Sequence, residues 1–161
     1  DALKKMLENM GFQNVETYIQ SGNVFVDSDE DNAASVGFKI KQEIAKVFGH
    51  DVPVVMVSIS DLEFCFKNNP YLKEKDCDTK KLYVAFISKE LSSLALNDLK
   101  ISNFKPDEAA IDSSRIYVKY AVGAGKTKLD QKYIEKKLNA VATMRNWNTV
   151  TKLLEMYTEK L

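Results

Sequence analysis

From Lys81 onward the apolar residues change period in an order that few folds accommodate. Residues Lys81–Ile87 alternate, Lys89–Leu99 show helical spacing, and Glu108–Asp112 and Arg115–Tyr120 alternate again around Ser113-Ser114. Helical spacing returns at Leu129, Tyr133, Ile134 and Leu138, followed by a short alternating run over Val141–Met144. Strand, helix, strand, strand, helix, strand is the ferredoxin-like order, whose strands lie 4-1-3-2 across one antiparallel sheet. In that arrangement the ends of the Arg115–Tyr120 and Val141–Met144 strands and the start of Lys81–Ile87 open on one rim.

The N-terminal part spells a related pattern. Leu3, Met6, Leu7 and Met10 mark a helix closed by Gly11, and Val15–Gln20 with Asn23–Asp27 form a hairpin around Ser21-Gly22. A second helix runs through Ala33, Val36, Ile40, Ile44, Val47 and Phe48 to Gly49, and Val52–Ser58 is expected as a β-branched strand. Ser60-Asp61-Leu62-Glu63 has the form of a capping box, opening a helix that Asn69-Pro70 ends. The polar stretch Tyr71–Lys80 sets the expected boundary, with one half at 1–72 and the other at 73–161. The fold class is therefore α+β, two ferredoxin-like subdomains with mainly antiparallel sheets, the N-terminal one lacking its first strand. A sheet without that central strand would leave backbone groups unpaired. Truncation, closure by a second copy, or a different pairing of the remaining strands are the three expected ways out.

The stretch Thr143–Val150 turns from strand directly into a helix whose stripe is Trp147, Val150, Leu153, Leu154, Tyr157 and Leu161. Asn146 and Asn148 are both N-cap candidates, and capping is the bland reading of them. Arg145 is one of two arginines against twenty-one lysines, so its planar donor fork, rather than charge alone, is what the position selects. A structural ion pair and an anion site are both open for it. Gly125, Lys126 and Lys128, with Lys80, would join Arg145, Asn146 and Asn148 at the shared rim, where helix N-termini also favour anions. Gly123-Ala124-Gly125-Lys126-Thr127 stands between strand and helix as a phosphate-binding loop would. The full motif, however, needs glycine where Tyr120 stands.

Thr17–Val26 (TYIQSGNVFV) and Ala142–Leu154 (ATMRNWNTVTKLL) resemble the uncharacterised domain-of-unknown-function family 1697. The resemblance implies a pair of ferredoxin-like subdomains in a soluble, cytosolic bacterial-type protein with no assigned activity, enzymatic or otherwise, and no known cofactor. It also implies an extra strand and a basic glycine-rich loop ahead of the first helix, whereas this chain begins inside that helix. Tyr18, Gln20, Ser21, Gly22 and Asn23 form a second candidate surface that would face the loop.

The alternative class is an RNA-binding or protein-interaction module. Leu82–Ile87 and Arg115–Tyr120 resemble the two strand motifs of RNA-recognition modules, and simple alternation sets Tyr83, Ala85, Arg115, Tyr117 and Lys119 on one face. Against it, lysine plus arginine equals aspartate plus glutamate at 23 each, so no overall field draws polyanions. A single histidine, His50, and two cysteines, Cys65 and Cys77, without metal or redox spacing exclude a recognisable metal centre or catalytic triad. Unpaired thiols favour the cytosol, and no apolar run reaches membrane-spanning length. A small anionic ligand is thus the expected partner, nucleic acid is disfavoured, membranes are not expected, and a homo-oligomer is open.

Overall fold

The computed structural model describes residues 1–18 and 22–159, arranged as two compact units, Asp1–Met56 and Val57–Leu161.

The first unit contains α1 (Ala2–Asn9), β1 (Gln13–Tyr18), β2 (Asn23–Asp27) and α2 (Ala33–Phe48). Asp1 caps α1 by accepting from the Lys4 N–H, and Asn32 caps α2 by accepting from the Ser35 N–H at 3.0 Å. Gly49 ends α2 at φ +71°, a left-handed conformation that any side chain would strain. Strands β1 and β2 pair antiparallel, with Tyr18 opposite Asn23. Met6, Leu7, Val15, Val36 and Ile40 form the core, against which Val24, Val26, Val54 and Met56 pack.

Residues 52–58, expected as a strand, form no ladder among the described residues. Their apolar side chains still find the helix layer, since Met56 and Val54 lie against Gly37 of α2. Val54 and Met56 are half-buried against the core of the first unit, and no described strand pairs with the segment's backbone. Alternation and β-branching specify a surface that suits a sheet, whereas the neighbour that completes it is a tertiary matter.

The second unit carries α3 (Ile59–Asn68), β3 (Leu82–Ile87), α4 (Ala95–Asp98), β4 (Glu108–Asp112), β5 (Arg115–Lys119), α5 (Gln131–Leu138), β6 (Ala142–Asn146) and α6 (Trp147–Thr158). The sheet order is β4-β5-β3-β6, all antiparallel, which is the ferredoxin-like order 4-1-3-2 read from its other edge. Residues 57–72 group with this unit rather than with the N-terminal one. Arg115 of β5 is ion-paired with Asp61 of α3, and the Phe66 ring packs at 5.2 Å on Trp147 of α6. The capping box of α3 begins two residues earlier than Ser60: Ser58 and Asp61 satisfy each other's backbone N–H groups. The helix expected over 89–99 shrinks to Ala95–Asp98, because Ser88 donates to Val141 and Leu91 to Ser113, tying the segment to the sheet end before a helix can start.

Register corrects the assignment of faces. Tyr83 stands opposite Val118 and Val84 opposite Tyr117, and residues directly opposed in an antiparallel pair share a face. Tyr83, Ala85, Ile116, Val118, Tyr120, Ala142 and Met144 therefore belong to one side, the core under α4 and α5. Val84, Phe86, Arg115, Tyr117, Lys119 and Arg145 belong to the other. Alternation holds within each strand; what a single strand cannot supply is the phase of its partner.

Candidate functional site

The rim expected from topology exists. Lys119 lies opposite Leu82 and Asn146 opposite Tyr83, so the ends of β5 and β6 and the start of β3 open together. The candidate residues do not converge there, because β5 and β6 are separated by β3 and the two groups leave on opposite faces.

At the β4–β5 corner, a cleft of about 320 Å³ lies between residues 103–107 and 121–128. Each wall is pinned by side chains. The Asp107 carboxylate accepts from the Ala121 N–H at 2.8 Å, tying the two walls together. Leu129 is fully buried and Ala124 packs on the core, so the loop is anchored on both sides of Gly125, Lys126 and Lys128, which are exposed. The Tyr120 hydroxyl donates to the Leu129 carbonyl at 2.6 Å, and Thr127 Oγ1 accepts from the Leu129 N–H at 3.1 Å. Burial pushes the Tyr120 phenol well above its ordinary range, so it remains a donor at any physiological pH. On the other wall Phe104 meets Tyr133 edge to face at 4.9 Å, and the Tyr133 hydroxyl donates to the Leu99 carbonyl.

Lys105, Lys126 and Lys128 line this cleft, with Asp107 as its carboxylate. The lining thus carries three lysines and one carboxylate, and that carboxylate is engaged by the Ala121 N–H. Lys105, Asp107 and Phe104 were not visible as site residues in the sequence. Pairing of Glu108 with Lys119 in the β4–β5 ladder and the Asp107–Ala121 bond set the Lys105-Pro106-Asp107 run beside the segment that leads into the Gly125-Lys126 loop.

Arg145 lies across the sheet from this cleft. It is opposite Val84, half-buried, with Nη1 donating to the Met144 carbonyl at 3.0 Å, and burial lowers its pKa from the usual guanidinium range. Two strand spacings of about 4.8 Å separate β6 from β5, and the side chains then diverge. Asn146 is structural: its Oδ1 accepts from the Asn148 N–H at 2.9 Å to cap α6, and its Nδ2 donates to the Lys80 carbonyl. Asn148 and Lys80 are exposed.

The tyrosine face does not form. Tyr117 is 1% exposed and Arg115 6%, covered by α3 within the same unit, while Tyr83 packs edge-on to Tyr120 in the opposite core. The Cys65 thiol lies close enough to perturb the Tyr117 hydroxyl without meeting hydrogen-bond geometry, and the hydroxyl is buried unpartnered among the described residues. Lys119 is held by Glu74 at 2.7 Å and Glu108 at 2.9 Å. None of these groups is available to stack or neutralise a nucleic acid.

In the hairpin, Tyr18 and Asn23 are half-buried partners across β1 and β2, and Gly22 takes φ +69°. Gln20 and Ser21 lie outside the described residues. No group of three metal-ligating side chains occurs among the described residues, and no helix of theirs is long and apolar enough to cross a membrane.

The model of a family described as protein of unknown function (DUF1697) matches residues 1–117. The chain belongs to the DUF1697 family. That match ends within β5, so the GAGK loop and the Ala142–Leu154 motif lie beyond it. A conserved bacterial protein, SP0830 from Streptococcus pneumoniae, shares the fold at TM-score 0.69 and 21% identity, over 96% of this DUF1697 chain and 86% of that one. No curated protein matches the chain.

Proposed function

We propose that the second unit binds a small anionic, phosphate-bearing ligand in the cleft between residues 103–107 and 121–128. The observation that carries this reading is the lining itself: Lys105, Lys126 and Lys128 around about 320 Å³, on walls tied by the Asp107–Ala121 bond. Anchoring of the loop at Ala124 and Leu129 means that little ordering is needed on binding, and preorganisation raises affinity without new contacts. The reading stops at binding. Asp107 Oδ1 is occupied by a backbone donor and Thr127 Oγ1 accepts from another, so the lining offers charge stabilisation without a placed base or nucleophile. A cytosolic setting goes with it, Cys65 and Cys77 being unpaired thiols.

Titration of the ¹⁵N-labelled protein with inorganic phosphate tests this. Shifts are expected at Val122, Gly125, Lys126 and Lys128, weakening with added salt as exposed charge interactions do. In Lys126→Ala/Lys128→Ala they should disappear. Binding unchanged in that variant, or shifts absent from the wild type, would remove the proposal.

A further inference from the structure

The lining of the cleft holds more than simple anion binding requires. Lysines occupy part of its lining, while Phe104, Pro106 and Val122 supply an apolar part. Val122 is 71% exposed. One exposed valine means little, since much of any protein surface is apolar. Val122, however, lines the same cleft as Phe104 and Pro106 but from the opposing segment, so both walls carry apolar residues, and the Phe104 ring is held by its edge contact with Tyr133. An inorganic anion would leave that apolar surface wet.

Resting on the anion-binding reading, we infer that the ligand is an aromatic phosphomonoester: a phosphate seated among Lys105, Lys126 and Lys128, carrying a flat apolar group that covers Val122 and Pro106 against Phe104. Size supports the class. A volume of about 320 Å³ is at the lower limit of ligand pockets, which run from about 300 to 1,000 Å³, so it suits a single ring system with one phosphate. Apolar and cationic residues in one lining also match the general make-up of small-molecule sites, an apolar lining with a few placed polar groups.

Phenyl phosphate, inorganic phosphate and phenol are the probes, titrated into the full chain and followed at the backbone amides of residues 122–128. Phenyl phosphate is expected to bind at least tenfold more tightly than phosphate. Tenfold is about 1.4 kcal/mol, the burial of roughly 60 Å² of apolar surface at about 25 cal/mol per Å². Val122→Ser should weaken phenyl phosphate at least threefold and leave phosphate unchanged, whereas Lys126→Ala should weaken both alike. Equal affinities for the two phosphates overturn the aromatic inference and leave the anion reading standing. Phenol binding as tightly as phenyl phosphate overturns the anion reading, as does failure of both phosphates to bind.

Discussion

Arg115 of β5 donates to the Asp61 carboxylate of α3 across 2.9 Å, with its guanidinium carbon 4.5 Å from the centre of the Phe64 ring. The arginine side chain is 8% exposed and the aspartate 44%, so one partner has left water and the other has not. Asp61 carries a second duty, since its other oxygen accepts from the Ser58 N–H and hydroxyl and closes the capping box of α3.

The two partners should therefore respond unequally to substitution. Asp61→Ala removes a cap, typically about 1 kcal/mol, and leaves a buried cation with only Asp112 at 3.8 Å, for a total of about 3 kcal/mol. Arg115→Met keeps the packing on Phe64 and removes the desolvation cost, so its effect should stay within about 1 kcal/mol. Urea unfolding followed by the fluorescence of Trp147, the sole tryptophan and part of the second unit, measures both. Equal losses would show that the pair acts through packing alone.

Burial pushes the Cys65 thiol up to about 11, from an ordinary 9.0, while Cys77 is only half-buried. A thiol-specific reagent at pH 8 should modify Cys77 in the native protein and reach Cys65 only on unfolding, because the thiolate is the reactive form. The same shift predicts a loss of stability at high pH. A folded-state pKa above the unfolded one means that the native form holds the proton more tightly. The contribution is therefore full below pH 9 and declines as pH rises through about 11. Unfolding midpoints at pH 8, 9, 10 and 11 should fall more steeply in the wild type than in Cys65→Ala. Parallel curves would assign the alkaline loss to the buried tyrosines instead.

Asn146 and Asn148 read alike in the sequence and should behave differently. Asn146→Ala loses both the cap of α6 and the bond to the Lys80 carbonyl, a combined cost of about 2 kcal/mol. Asn148→Ala removes an exposed side chain and should change stability by less than about 0.5 kcal/mol. Thermal unfolding of the two variants side by side decides it, and a larger loss for Asn148 would reverse the capping assignment.

The order of elements in the second unit was legible because it is written in period: each change between alternation and helical spacing survives folding, and the right strand order follows from it. What pairing decides was not legible. Tyr83 and Tyr117 alternate convincingly in their own strands, yet the Tyr83–Val118 register sends them to opposite sides. Val52–Ser58 has a strand's composition and, among the described residues, no strand to pair with. The lysines of the GAGK loop stand out in the sequence, whereas Lys105 and Phe104 join them through the β4–β5 register, Glu108 opposite Lys119, and the Asp107–Ala121 bond that extends it. Arg145 was singled out for its chemistry, and its half-burial on the far face follows from register, not from composition.

That separation gives the sharpest test of the cleft. Lys126 is exposed at the lip, so replacing it with alanine should weaken phosphate binding roughly fivefold, the loss of about 1 kcal/mol for one of three solvated charges. Arg145→Met removes a charge as well, from across two strand spacings and the opposite face, where screening at physiological salt cuts its field within about 8 Å. Its phosphate affinity should therefore match the wild type within twofold. Nuclear magnetic resonance titrations of the two variants provide the comparison. A fivefold loss in Arg145→Met with Lys126→Ala unaffected would move the site to the α6 side of the sheet and leave the cleft a structural seam.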